Sequence, residues 1–195
     1  MHIRAEAVSV DIDGRRIFSD ATLTCAPGTM TALVGRSGSG KTTLLHCLGL
    51  LQEPTGGRVM VNDLDTTGWR SGRRRGFWHD SASFVLQDYG IMEEESIAFN
   101  VTMRSSPFGS RTLGDRAKLC AALDATGLAG REVETAAHLS GGEKQRLAVA
   151  RAIYKDAAVV FVDEPTASLD AANRSHVVGL QRPRGAGLHR RRRHP

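Results

Sequence analysis

Gly35-Arg36-Ser37-Gly38-Ser39-Gly40-Lys41-Thr42 has the spacing G-x-x-x-x-G-K-[ST]. Glycines at these positions let the backbone curl until successive N–H groups point inward, which is the chemistry of gripping a phosphate. The Lys41 ammonium is placed to reach β- and γ-phosphates, and the Thr42 hydroxyl to coordinate Mg²⁺. Thr43 continues the same turn and is counted with the site. A dinucleotide fingerprint is the nearest rival, since Gly38-Ser39-Gly40 supplies G-x-G. Its third glycine would fall at position 43, which is Thr, so the rival fails.

Val159-Val160-Phe161-Val162-Asp163-Glu164 is a short apolar run ending in two carboxylates. Ligands of a parallel sheet sit beyond the carboxyl ends of its strands, so this pair is expected beside the phosphate loop. Asp163 is expected to hold Mg²⁺ through water, and Glu164 to orient and deprotonate an attacking water. Adjacent residues at a strand end point to opposite faces, which suits two separate jobs. Loop and acids together predict a protein that binds and hydrolyses a nucleoside triphosphate.

Such a site needs a strand before the loop and a helix after it. Met30-Thr31-Ala32-Leu33-Val34 is short and apolar, and is expected to be a strand buried on both faces. Thr42 to Leu51 reads as the helix. Upstream, Val8, Val10 and Ile12 alternate with polar residues as a half-buried strand, and residues 17–24 continue in that style. Arg58 to Val61 and Ser83 to Gln87 are further strands, whereas the polar stretch 63–81, with Arg73-Arg74-Arg75, reads as a solvated loop. Residues 97–137 are helical in pattern, Gly142 to Tyr154 is a strong helix, and Ala157 to Val162 is a continuous apolar strand. Strands alternating with helices predict an α/β fold.

The 195 residues suffice for one α/β domain with a real core and not for two ordinary ones. The longest apolar run is six residues, where a spanning helix needs about 20, so no membrane crossing is expected. The first twenty residues are too charged for a secretory leader, and Cys25, Cys47 and Cys120 suggest a reducing compartment rather than a disulfide framework. The net charge of +5 raises the possibility of nucleic acid. Residues 182–195 hold six arginines and no acid, so the excess belongs to that tail, and no specific nucleic-acid partner is expected.

Leu139-Ser140-Gly141-Gly142-Glu143-Lys144-Gln145-Arg146 precedes the acidic strand. Ser140 and Glu143 satisfy a capping box, a purely local explanation of those two residues. It does not explain Gly141-Gly142, because glycine early in a helix costs about 1 kcal/mol against alanine. Bare backbone at a helix N-terminus is what the close approach of an anion calls for.

With these residues in place, the chain resembles the nucleotide-binding subunit of an ATP-binding cassette (ABC) transporter, whose signature is L-S-G-G-[EQ]. The phosphate loop, a glutamine loop at Gln87, the signature, Asp163-Glu164 and Ser168-Leu169-Asp170 occur in the family's order between about residues 3 and 181. The resemblance implies a P-loop NTPase fold of ABC type. Its core sheet would be mainly parallel, with an N-terminal antiparallel β part and a helical subdomain over about 95–150. The cassette would occupy 1–181 and be followed by an arginine-rich irregular tail, 182–195.

The resemblance also implies ATP and Mg²⁺ as cofactors, a second nucleotide-binding subunit (a homodimer), and an integral membrane permease. The chain would then be cytoplasmic and peripheral to the membrane through that permease. ATP would lie between the phosphate loop of one copy and Ser140, Gly141 and Gly142 of the other, with Asp170 at the interface. Gln87 would contact Mg²⁺ and the attacking water, and relay their state through Asp88 to Val101. Gln87-Asp88-Tyr89-Gly90 and Gly142 to Arg146 are most similar to the lipoprotein-release, macrolide-export, bacteriocin-export and cell-division group.

Two departures stand out. Where the family offers an aromatic for adenine, this chain has Ile12, with Phe18 the next aromatic and at a spacing that suits the core. After residues 171–180, helical in pattern, the text turns to Pro, Gly and Arg, with no apolar strand ending in the family's histidine. His194 lies at about the right distance without a strand to hold it, His189 is worse placed, and His176 falls inside the helix. The abrupt change suggests a truncated or shifted reading frame. It also raises an alternative function, a degenerate cassette that binds ATP with little turnover.

Overall fold

A computed structural model describes residues 1–86, 90–104 and 114–163. Strands β1 (Ile3–Ile12) and β2 (Arg15–Cys25) form an antiparallel hairpin. Its turn is Asp13-Gly14, both residues left-handed at φ 49° and 75°, the backbone that a two-residue hairpin demands. Ile3, Ala5, Val8 and Val10 are buried. The change from odd to even positions is produced by a bulge near Ala7, where the register with β2 shifts.

Helix α1 (Lys41–Leu48) follows, then β3 (Gly56–Val61) and the short β4 (Leu64–Asp65). These strands complete a four-stranded antiparallel sheet in the order β2-β1-β3-β4. Helix α2 (Ser71–Asp80) leads into β5 (Ala82–Val85). Two short helices, α3 (Ile97–Thr102) and α4 (Arg116–Asp124), precede α5 (Gly141–Lys155) and β6 (Val159–Val162). Strands β5 and β6 pair in parallel from Ala82↔Val159 to Val85↔Val162. This pair is the parallel part of the fold among the described residues.

One core lies between the antiparallel sheet, α1 and the parallel pair, with Val8, Val10, Cys47, Leu48, Val59, Phe77 and Phe161 in it. Burial without a charged partner pushes the Cys47 thiol up to about 11. A second core joins α3, α4 and α5 through Ile97, Leu119, Leu123, Leu128 and Leu147. Val85, Ala148 and Val149 pack α5 on the parallel pair.

Two expectations are corrected. The stretch 63–81 is not a loop, because α2 occupies most of it with Phe77 buried and Trp78 packed on the first core. Only two or three apolar positions carry that helix, so its period is drowned by arginines in the sequence. Met30–Val34 is not a buried strand. It joins no ladder, and Met30 and Val34 are 57% and 90% exposed. Five apolar residues supply strand propensity, but a two-face strand exists only where neighbours take up its N–H and C=O groups.

Candidate functional site

Residues 35–39 form an exposed loop. The Ser39 amide donates to the Arg36 carbonyl at 3.2 Å, and Gly38 and Gly40 are left-handed at φ 74° and 84°. At Gly40 a side chain is excluded on space as well, since a Cβ would stand 2.8 Å from the Phe18 ring and 2.9 Å from Ile17. Phe18 packs against the first core, as expected, and also backs the loop from β2. Ile12 is 42% exposed.

The turn ends where α1 begins. Gly40 caps α1 without a side-chain hydrogen bond, and the first turn carries no acid. The amides that open the helix therefore meet the loop with their positive dipole end uncompensated by a side chain. Lys41 folds back across the loop, its Nζ donating to the carbonyls of Gly35 at 3.1 Å and Arg36 at 2.9 Å.

Two contacts hold the far end of α1. The Trp78 indole donates to the Gly49 carbonyl at 2.9 Å. The Phe84 ring, stacked on Phe161 at 5.1 Å, presses on Gly49, where a Cβ would lie 2.5 Å from it. The helix is thus positioned by α2 and β5, without a buried strand before the loop.

The Thr42 hydroxyl donates to the Asp163 carboxylate at 3.2 Å across 121 residues of sequence. Asp163 continues the edge of β6, its amide donating to the Val85 carbonyl at 2.9 Å. Phosphate loop and acidic strand end are therefore brought together as expected. Among the described residues no cluster of three or more His, Cys, Asp or Glu exists that could hold a metal ion alone. One hydroxyl and one carboxylate fit a cation that takes its other ligands from phosphate and water, the habit of Mg²⁺.

Ser140 is the N-cap of α5, and the capping box is complete. Its amide and hydroxyl donate to Glu143 at 2.8 and 2.7 Å, and the Glu143 amide returns a bond to Ser140 Oγ at 3.4 Å. Arg131 pairs with both Glu134 and Glu143. These donors, Ser140 first and Arg131 next, hold the Glu143 carboxyl down at about 2. Leu139 is buried beneath, while a Cβ on Gly141 would meet nothing.

The segment after the glutamine loop is bolted to the same helix. Asn100 is fully buried, its amide donating to the Met92 and Ser96 carbonyls at 2.9 and 3.1 Å and accepting from the Met92 amide at 2.9 Å. Arg151 of α5 donates to the Asn100 carbonyl at 2.8 Å and the Gly90 carbonyl at 3.0 Å. Burial lowers its pKa from the ordinary guanidinium value. Lys144 pairs with Glu93. None of Arg131, Asn100 and Arg151 is legible in the sequence: Asn100 and Arg151 act through backbone carbonyls, and Arg131, besides its local pair with Glu134, ties down Glu143 of a different element. Gln87, Glu164, Asp170 and the histidines 176, 189 and 194 lie outside the described residues.

Comparison with known proteins agrees with this arrangement. The ABC transporter family model matches residues 18–167. Lipoprotein-releasing system ATP-binding protein LolD of Bordetella avium is 44% identical over 158 residues, covering 80% of this chain and 67% of the relative. Macrolide export ATP-binding/permease protein MacB of Sodalis glossinidius is 34% identical over 165 residues, 84% of this chain but only 25% of that protein. Among solved structures, a dimeric bacterial ABC transporter cassette superposes with a TM-score of 0.79 at 25% identity, covering 91% of this chain and 80% of that one. A bacterial Atm1-family ABC exporter with ATP bound gives 0.76 at 26% identity, covering 92% and 32%.

The fold and the site define a P-loop ATPase cassette of α/β architecture. The chain belongs to the ABC transporter family, as an ATP-binding, ATP-hydrolysing cassette.

Proposed function

We propose that this chain is the subunit that energises transport, export or extraction in direction, by a separate membrane permease. The bond from Thr42 to Asp163 carries the reading, because it unites the phosphate loop and the acidic strand end as a metal-nucleotide site requires. The relatives named for lipoprotein release and macrolide export support the transport direction. No helix among the described residues is long and apolar enough to cross a membrane. In this reading the membrane path is supplied by a partner, with this chain on the cytoplasmic face.

In this reading Gly35, Arg36, Ser37, Gly38, Ser39 and Gly40 wrap the triphosphate with their amides, and Thr43 completes the opening turn. Lys41 leaves its carbonyl partners for the β- and γ-oxygens. Thr42, Asp163 and Gln87 hold Mg²⁺, which when bound offsets charge on the phosphates. Glu164 takes the proton of the attacking water. Ser140, Gly141 and Gly142 serve the nucleotide of a second copy, in keeping with the open space at Gly141, and Asp170 meets that copy. Residues 1–181 form the cassette, with the helical subdomain over about 95–150, and 182–195 are a tail.

Lys41→Ala is expected to abolish ATP binding in equilibrium titration while leaving the circular dichroism spectrum unchanged. Unchanged affinity would remove the phosphate-loop assignment.

A further inference from the structure

The stretch 69–79 holds four arginines, both tryptophans of the chain and no acid. Helix α2 sorts these residues. Phe77 is buried, Trp78 is tied to Gly49, and Arg74 turns inward to an ion pair with Glu53 at 2.6 Å. Arg70, Arg73 and Arg75 stand on the exposed side, and among the described residues none of them has a carboxylate partner. Arg73 lies over the Trp69 ring at 4.3 Å, which keeps its guanidinium at the surface. Beside it runs a groove lined largely by apolar side chains, Met1, Val61, Leu64, Trp69 and Phe77, together with Arg73 and the polar Asn62, Asp80 and Ser81, with Leu64 51% exposed.

We propose that the outer face of α2, with Arg70, Arg73 and Arg75, is a docking surface for the phosphate headgroups of an anionic lipid bilayer. Guanidinium forks match phosphate oxygens. Exposed cations at the N-cap and on both flanks of the helix, with an apolar shoulder beside Arg73, match the boundary between headgroup and acyl chain. Nucleic acid offers no apolar counterpart to Leu64 and Met1, and the Trp69 face a base would stack on is already taken by Arg73. The surface is separate from the nucleotide site and goes beyond the transport reading.

The test is flotation of the full chain with phosphatidylcholine vesicles, with and without phosphatidylglycerol. Binding is expected only to the anionic vesicles, fading as salt shortens the Debye length below about 10 Å. The triple variant Arg70→Gln, Arg73→Gln, Arg75→Gln should weaken it by roughly fivefold per residue, on the order of 100-fold together. ATP affinity should not move, and the melting temperature should fall by no more than the loss of the Arg73–Trp69 contact allows. The basic tail is the confounding source, so a second variant changes all six arginines of 182–195 to Gln. Vesicle binding that survives this change and fails in the triple variant supports the proposal. Binding lost with the tail and untouched in the triple variant overturns it, as does wild-type protein that ignores anionic vesicles. So does a stronger, α2-dependent affinity for duplex DNA at the same salt.

Discussion

Glu143 shows how one carboxylate serves two scales at once. It closes the capping box of α5 and anchors Arg131, so the helix that carries Ser140 and Gly141 starts at a fixed point. Its pKa sits near 2, below the ordinary 4.5. A carboxyl depressed in the folded state adds stability that is whole above the unfolded value and is lost as pH falls toward the folded one. Wild-type protein should therefore lose stability between about pH 4.5 and 2 with a component that Glu143→Gln lacks, since Gln keeps the box and cannot titrate. Urea melts at stepped pH measure this, and parallel pH slopes for the two proteins would count against it.

At the scale of elements, the placement of α1 decides whether the phosphate loop works. Its C-terminal end is set by the contact of Gly49 with Phe84 and by the Trp78 bond. Gly49→Ala forces a methyl against a ring that its stacking partner Phe161 prevents from retreating. Overpacking of this kind costs about 1–3 kcal/mol. We expect a lower melting temperature and weaker ATP binding together, read by calorimetry and nucleotide titration. A loss of stability with unchanged nucleotide affinity would show that α1 is not the lever. Helix α5 plays the matching part for the signature, because Arg151 and Lys144 tie it to residues 90–100.

In the whole molecule, one core surrounds the antiparallel sheet and another joins the helices, and they are linked through β5 and β6, which contribute to the first core and on which α5 of the second packs. The phosphate loop belongs to the first and Ser140 to the second. A Cβ on Gly141 would meet nothing within 4 Å, which leaves room there for the second copy that the proposed sandwich places against it. Glu164→Gln is expected to retain ATP and elute as a nucleotide-dependent dimer in size-exclusion chromatography, because attraction across the interface persists while water activation is lost. A variant that stays monomeric with ATP and Mg²⁺, or hydrolyses ATP at the wild-type rate, would remove Glu164 from the role of base.

Local rules made much of this protein legible in its sequence. The loop at Gly35–Thr42, the capping box at Ser140 and Glu143, and strands β1, β2, β3, β5 and β6 all follow from neighbours within a few residues, where spacing and side-chain type decide the outcome. The tertiary structure alone decided three things. Met30–Val34 has strand composition and no ladder, because pairing depends on what lies alongside it. The arginines of 70–75 became a helix face, because Phe77 and Trp78 found a core to enter. Thr42 and Asp163 became a pair across 121 residues, because a hydrogen bond forms between atoms near in space and sequence distance carries no trace of it.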